Sequence, residues 1–148
     1  MTDDARTFTY EMRIDASPEV VYSYFTDPER MALWMGIEHK LDPVPGGVFR
    51  VDINGSDVAV GEFVELDPPR RLVFTWGWQG SAEVPPGSTT IEVNLAGDGD
   101  ATLLRFAHHG LPAGQHDQHA HGWNHFLGRL MIAAAGGDPG PDSFVEAG

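Results

Sequence analysis

The chain changes its apolar period once, and that change limits what it can fold into. Between Gly46 and His108 the apolar residues recur every second position; after Gly110-Leu111-Pro112 they recur at helical spacing. Trp123, Phe126, Leu127, Leu130, Met131 and Ala134 stand at i, i+3, i+4, i+7, i+8 and i+11. That pattern predicts one strong amphipathic helix from about Gln115 to Ala135, ended by Gly136-Gly137. One long apolar helix face after a run of half-buried strands has only a sheet to cover.

The strands are read from alternation and turn residues. Thr7 to Ile14 (TFTYEMRI) alternates Phe8, Tyr10, Met12 and Ile14 with polar residues. VFRVDI after Gly46-Gly47, then Val58–Leu66, Leu72–Trp78, Thr89–Leu95 and Ala101–His108 follow, separated by clusters such as Asn54-Gly55-Ser56-Asp57 and Asp67-Pro68-Pro69. Strands so closely spaced form an antiparallel meander. Between the first strand and the meander lie two short helices, each with a capping side chain and a proline at its first turn: Ser17-Pro18-Glu19 and Asp27-Pro28-Glu29. The second is expected from Pro28 to Met35, with Met31, Trp34 and Met35 on one face. The fold class is therefore α+β: a curved antiparallel sheet of about six strands, two short helices after the first strand, and a long C-terminal helix over the sheet.

Composition removes several functions. The formal charge is −13, with 9 Lys+Arg against 22 Asp+Glu, which argues against nucleic acid and anionic membranes as partners. There is no cysteine, so disulfides, thiolate catalysis and Cys-ligated metals are excluded. No apolar run is long enough for a transmembrane helix, and the acidic start does not resemble a signal peptide. A cytoplasmic location is the expectation. No phosphate loop, nucleophile elbow or HExxH pattern is present.

Parity along the strands assigns Phe49, Phe74, Trp76, Trp78 and Phe106 to the inner face, facing Trp123 of the helix. Large rings tile a curved sheet poorly, so an apolar cavity between sheet and helix is expected, lined by Trp34, Phe49, Phe74, Trp76, Trp78, Phe106, His108, Trp123 and Leu127. His108 shares parity with Leu104 and Phe106; it either serves a ligand or is satisfied within the protein. Six of the seven histidines fall between His108 and His125. His121 and His125 share a helix face, as do Asp117 and His121, yet no third metal ligand is evident. Neither a metal nor a cofactor is expected.

The segments IDASPEVVYSYFTDPE (residues 14–29), Trp34, PGG (45–47), GEFVELDPPRRLVFTW (61–76), TLLRFAHHGL (102–111) and HGWNHFLGRL (121–130) together resemble the SRPBCC, or START-related, helix-grip superfamily. Within it the chain is similar to the AHSA-like family, named after the activator of the heat-shock-protein-90 ATPase. The resemblance implies a sheet wrapped around the C-terminal helix with an internal hydrophobic pocket. One helix-grip domain is expected over residues 1–137, and the acidic, Pro/Gly-rich remainder, 138–148, reads as a flexible tail. The function expected is binding of a small hydrophobic molecule in that cavity. Two alternatives stand beside it. One is a cyclase, dehydratase or hydrolase in the same cavity, using His108 with Trp78 or Tyr24. The other is a protein-interaction domain for a chaperone ATPase, with a tie to the stress response.

Overall fold

Strand alternation in the sequence becomes a seven-stranded, wholly antiparallel sheet in the computed structural model, which describes residues 6–145. In chain order the elements are β1 (Thr7–Ile14), α1 (Pro18–Thr26), α2 (Pro28–Met31), β2 (Glu38–Leu41), β3 (Val48–Asp52), β4 (Val58–Asp67), β5 (Arg71–Trp76), β6 (Thr89–Asp98), β7 (Ala101–His109) and α3 (His116–Ala134). Strand order is β1-β7-β6-β5-β4-β3-β2, so the last strand closes back onto the first, pairing Phe8 with His108 and Tyr10 with Phe106.

The register follows side-chain burial. On β6, Thr89, Ile91, Val93 and Leu95 are buried while Thr90, Glu92 and Asn94 are half-buried on the opposite face. On β7, Leu104, Phe106 and His108 share the inner face, as their parity requires. Phe63 points inward from β4 and is wholly buried; Val60 lies on the other parity and is half-buried. A register irregularity follows between Phe63 and Glu65. The outer face carries the ion pairs, with Arg71 between Glu65 and Glu92, and His109 on the far oxygen of Glu92. These partners, Arg71 first, hold the Glu92 carboxyl down at about 2.

The helices are capped as read. Ser17 Oγ accepts from the Val20 amide at 3.3 Å, and Asp27 Oδ1 from the Glu29 amide at 2.9 Å. Helix α3 buries Trp123, Phe126, Leu127, Leu130, Ala133 and Ala134 against the sheet and α1. Tyr24 of α1 fixes the far end by donating to the Ala133 carbonyl at 3.2 Å.

Four expectations need correction. The sheet has seven strands, because Glu38–Leu41 (EHKL) adds an edge strand beside β3. Two charged residues and a histidine in four positions leave no apolar alternation to read. Helix α2 stops at Met31; Trp34 and Met35 follow in turns, their amides bonded to the Met31 carbonyl, and remain buried. Met131 is 41 % exposed, so the buried stripe of α3 passes through Ala133 instead. The segment 138–145 is docked back along α3 rather than free. Arg129 Nη1 donates to the Pro139 and Gly140 carbonyls, His125 Nε2–H to Asp142 at 2.7 Å, and the Phe144 ring stacks on His125 with centroids 3.7 Å apart. Residues 146–148 of the expected tail lie outside the described residues.

Leu130 is wholly buried at the centre of the α3 face. Leu130→Ala is expected to lower the urea-unfolding free energy by about 2–5 kcal/mol, the range for a core leucine replaced by alanine. A loss under ~1 kcal/mol would mean that α3 does not close the core.

Candidate functional site

Glycine at position 77 lets the chain turn back tightly on itself after β5. A Cβ there would collide with the Pro85 carbonyl. The loop 78–86 consequently packs down, with the Trp78 amide donating to the Val84 carbonyl at 2.7 Å and Ser81 Oγ accepting from the Val84 amide at 2.9 Å. This loop, the β3–β4 turn, the N-terminal half of α3 and Phe144 enclose a cleft of about 540 Å³. Its apolar wall is Met35, Ile53, Trp76, Trp78, Val84, Trp123, Phe126 and Phe144; its rim is Asn54, Asp57, Gln79, Glu83, Gln118 and His121.

The nine expected lining residues divide cleanly. Trp76, Trp78 and Trp123 meet at the cleft, with Trp76 5.2 Å from Trp78 and 5.0 Å from Trp123 between ring centroids. Phe49, Phe74 and Phe106 do not reach it. Phe49 stacks on Phe74 at 4.4 Å, and Phe106 packs on Trp123 at 4.6 Å, so they fill the core behind the wall. Leu127 is wholly buried under the middle of α3. Trp34 packs edge-on to Phe25 at 5.3 Å and donates its indole N–H to the Tyr24 carbonyl at 2.9 Å, away from the cleft. The free volume thus sits at one end of the helix–sheet sandwich, because the phenyl rings fill its middle.

His108 is wholly buried and fully committed. Thr89 Oγ1 donates its single hydrogen to the Trp76 carbonyl at 2.6 Å, so it can only accept from His108 Nε2–H, 2.8 Å away. The Trp123 indole N–H then donates to His108 Nδ1 at 3.0 Å. These partners fix the neutral Nε2–H tautomer. Burial, aided by the nearby His119 and His109, pushes the His108 imidazole down to about 3.

His119, on the first turn of α3, borders the cleft and is also occupied. Its Nδ1–H donates to the Gln115 carbonyl at 2.8 Å, and its Nε2 accepts from the Trp78 indole at 3.0 Å. Desolvation lowers its basicity too. Tyr24 spends its hydroxyl on Ala133 and lies off the cleft. The ring of Trp76, which lines the cleft, is 2 % exposed, and its indole N–H is buried without a partner among the described residues.

Sequence reasoning missed His119 as a wall residue, along with Met35, Ile53, Val84, Phe126 and Phe144. The readable signal for Phe144 was a Phe-Val pair inside an otherwise polar, Pro/Gly-rich segment. His121 and His125 flank the Phe144 ring, at 5.6 and 3.7 Å between centroids. Among the described residues no group of three His, Cys, Asp or Glu side chains is placed to hold a metal, and no helix is long and apolar enough to cross a membrane.

The depressed imidazole sets a pH dependence. Between about pH 6.5 and 3 the unfolded chain takes up a proton at His108 that the folded chain does not, so stability falls as pH falls through that window. The limiting slope for one proton is about 1.4 kcal/mol per pH unit. His108→Gln, which can still accept from Trp123 and donate to Thr89, is expected to flatten the slope in urea titrations from pH 7 to 4. Equal slopes for the two proteins would place the linkage elsewhere.

The model of the family described as "Activator of Hsp90 ATPase homolog 1-like protein" matches residues 15–135. The AHSA1-like protein RHE_CH02687 from Rhizobium etli is 43 % identical, with 96 % of this chain and 91 % of that one covered at a TM-score of 0.71. DynU16, a protein in the dynemicin biosynthetic locus, is 26 % identical at a TM-score of 0.78, covering 90 % of this chain and 49 % of that one. The uncharacterised Schizosaccharomyces pombe protein C1711.08 is 30 % identical over 108 residues, 70 % of this chain and 29 % of the yeast protein. The chain therefore spans about half of DynU16 and under a third of the yeast relative. It belongs to the Activator of Hsp90 ATPase homolog 1-like family and has the helix-grip fold of that family's solved members.

Proposed function

We propose that this AHSA1-like domain holds a small aromatic molecule in the cleft beside Trp76, and that it binds this molecule rather than transforming it. The observation carrying the reading is an apolar wall of three tryptophans, one of which, Trp76, has its indole N–H without a partner among the described residues. A buried donor without an acceptor costs roughly 1–3 kcal/mol, and a ligand oxygen at that point recovers it. A cleft of about 540 Å³ suits a small molecule of two or three fused rings. The wall offers ring faces and edges for offset or perpendicular stacking.

Binding without chemistry is supported by the histidines. General acid–base catalysis needs a group free to exchange a proton with the substrate near the working pH. Two imidazoles, His108 behind the tryptophan wall and cleft-lining His119, have their ring nitrogens engaged within the protein and their basicity lowered. A small-molecule role also accords with the place of DynU16 in a biosynthetic locus.

The test is an NMR titration with 2-acetonaphthone, a neutral aromatic ketone, reading the four tryptophan indole N–H signals. The Trp76, Trp78 and Trp123 signals are expected to move together, with Trp76 shifting downfield as its N–H gains an acceptor, while Trp34 stays still. Trp76→Phe is expected to weaken binding about three- to tenfold, the worth of one hydrogen bond of ~0.5–1.5 kcal/mol. Saturating ketone that leaves the three indoles unmoved, or moves Trp34 alone, would refute the site.

A further inference from the structure

The cleft is electrostatically one-sided. Among the described residues its lining contains two carboxylates, Asp57 and Glu83, and no lysine or arginine. Neither carboxylate is in an ion pair among the described residues. Asp57 Oδ2 accepts only from Asn54 at 3.0 Å, and Glu83 Oε1 from Gln115 at 3.1 Å. The arginines are engaged elsewhere: Arg71 with Glu65 and Glu92, Arg13 with Asp15 and Asp98, Arg105 with Glu11, Arg70 with Asp67, and Arg129 with carbonyls of Trp34 and the C-terminal segment. Arg50 reaches the rim: its exposed guanidinium donates to Gln79 Oε1 at 2.8 Å. His119 is kept neutral by burial, and His121 is exposed at the mouth.

Two unneutralised carboxylates opposite three indoles favour one kind of guest. A tryptophan ring attracts a cation placed over its face, and half-exposed Trp78 has the ring most available to one. The chain's charge of −13 concentrates cations at the cleft mouth and repels anions. The Trp76 indole N–H, buried without a partner among the described residues, is a donor that an oxygen of the guest can satisfy.

We infer that the ligand is an aromatic ammonium compound that also carries a carbonyl or hydroxyl oxygen: its ring system lies among Trp76, Trp78 and Trp123, its oxygen accepts from Trp76, and its ammonium group lies at the rim between Asp57 and Glu83. This rests on the binding reading above and adds the sign of the charge.

Three probes with one naphthalene body separate the two claims: 2-naphthylmethylammonium, 2-naphthylmethanol and 2-naphthoate. All three are titrated at the same fixed pH of 8, where the ammonium and carboxylate probes carry their charges. The ammonium is expected to bind about tenfold tighter than the naphthoate, with the alcohol between them, a gap of the size that one cation–π contact and screened carboxylates supply. Salt at ~0.5 M should shrink that gap, since the rim charges are exposed. The double variant D57N/E83Q should bring the ammonium to the affinity of the alcohol. Equal binding of all three probes, a tighter naphthoate, or an unchanged order in the double variant overturns the cationic ligand and leaves the site standing. Failure of every probe to bind overturns the site itself, and the ligand assignment with it.

Discussion

A buried chain of hydrogen bonds ties the C-terminal helix to three consecutive strands. The Trp123 indole of α3 donates to His108 on β7, His108 donates to Thr89 on β6, and Thr89 donates to the Trp76 carbonyl on β5. All four residues are almost wholly removed from water. In such surroundings a missing partner costs more than a present one contributes, so the relay stabilises the fold only when complete. Apolar packing draws α3 onto the sheet without direction; the relay gives that packing one register. It also determines what the wall can do. It locks His108 in one neutral tautomer and withdraws it from proton transfer. It also uses the carbonyl of Trp76, whose indole N–H is buried without a partner among the described residues.

The cleft is a consequence of that packing. In the middle of the sandwich Phe49, Phe63, Phe74 and Phe106 fill the space between strands and helix. At the N-terminal end of α3 the fill changes to tryptophans, which meet at angles of 52° and 82° and do not close the gap. The loop held down at Gly77 forms one side. Phe144, brought back by Arg129, His125 and Asp142, forms the other. Segments that look like connectors in the sequence are therefore walls in the structure.

Much of the fold was legible because its signals are local. Period-two burial on β6 and β7, the Ser17 and Asp27 caps, and the helical stripe through Trp123 and Leu130 are each written in a few neighbouring residues. The edge strand Glu38–Leu41 was illegible because an edge with little to bury needs no apolar pattern. The parity of His108 was readable, but its role was not: that depends on Thr89 and Trp123, 19 and 15 positions away. Strand parity put Phe49, Phe74, Trp76, Phe106 and His108 on the inner face, and all five are buried. It could not separate rings that border free volume from rings that fill it, since that is decided by how α3 lies across the sheet. Trp34 shows the same limit. Its helical spacing placed it inside, and only the fold shows that it is bonded to Tyr24 instead of facing the cleft.

The relay can be observed directly through the side-chain nitrogens of His108 in long-range ¹H–¹⁵N correlation spectra. At pH 5 the account requires a neutral imidazole with the proton on Nε2, an Nδ1 shift typical of a hydrogen-bond acceptor, and slow exchange of that proton with water. An imidazolium at pH 5, or the Nδ1–H tautomer, would show that no such chain joins helix and sheet.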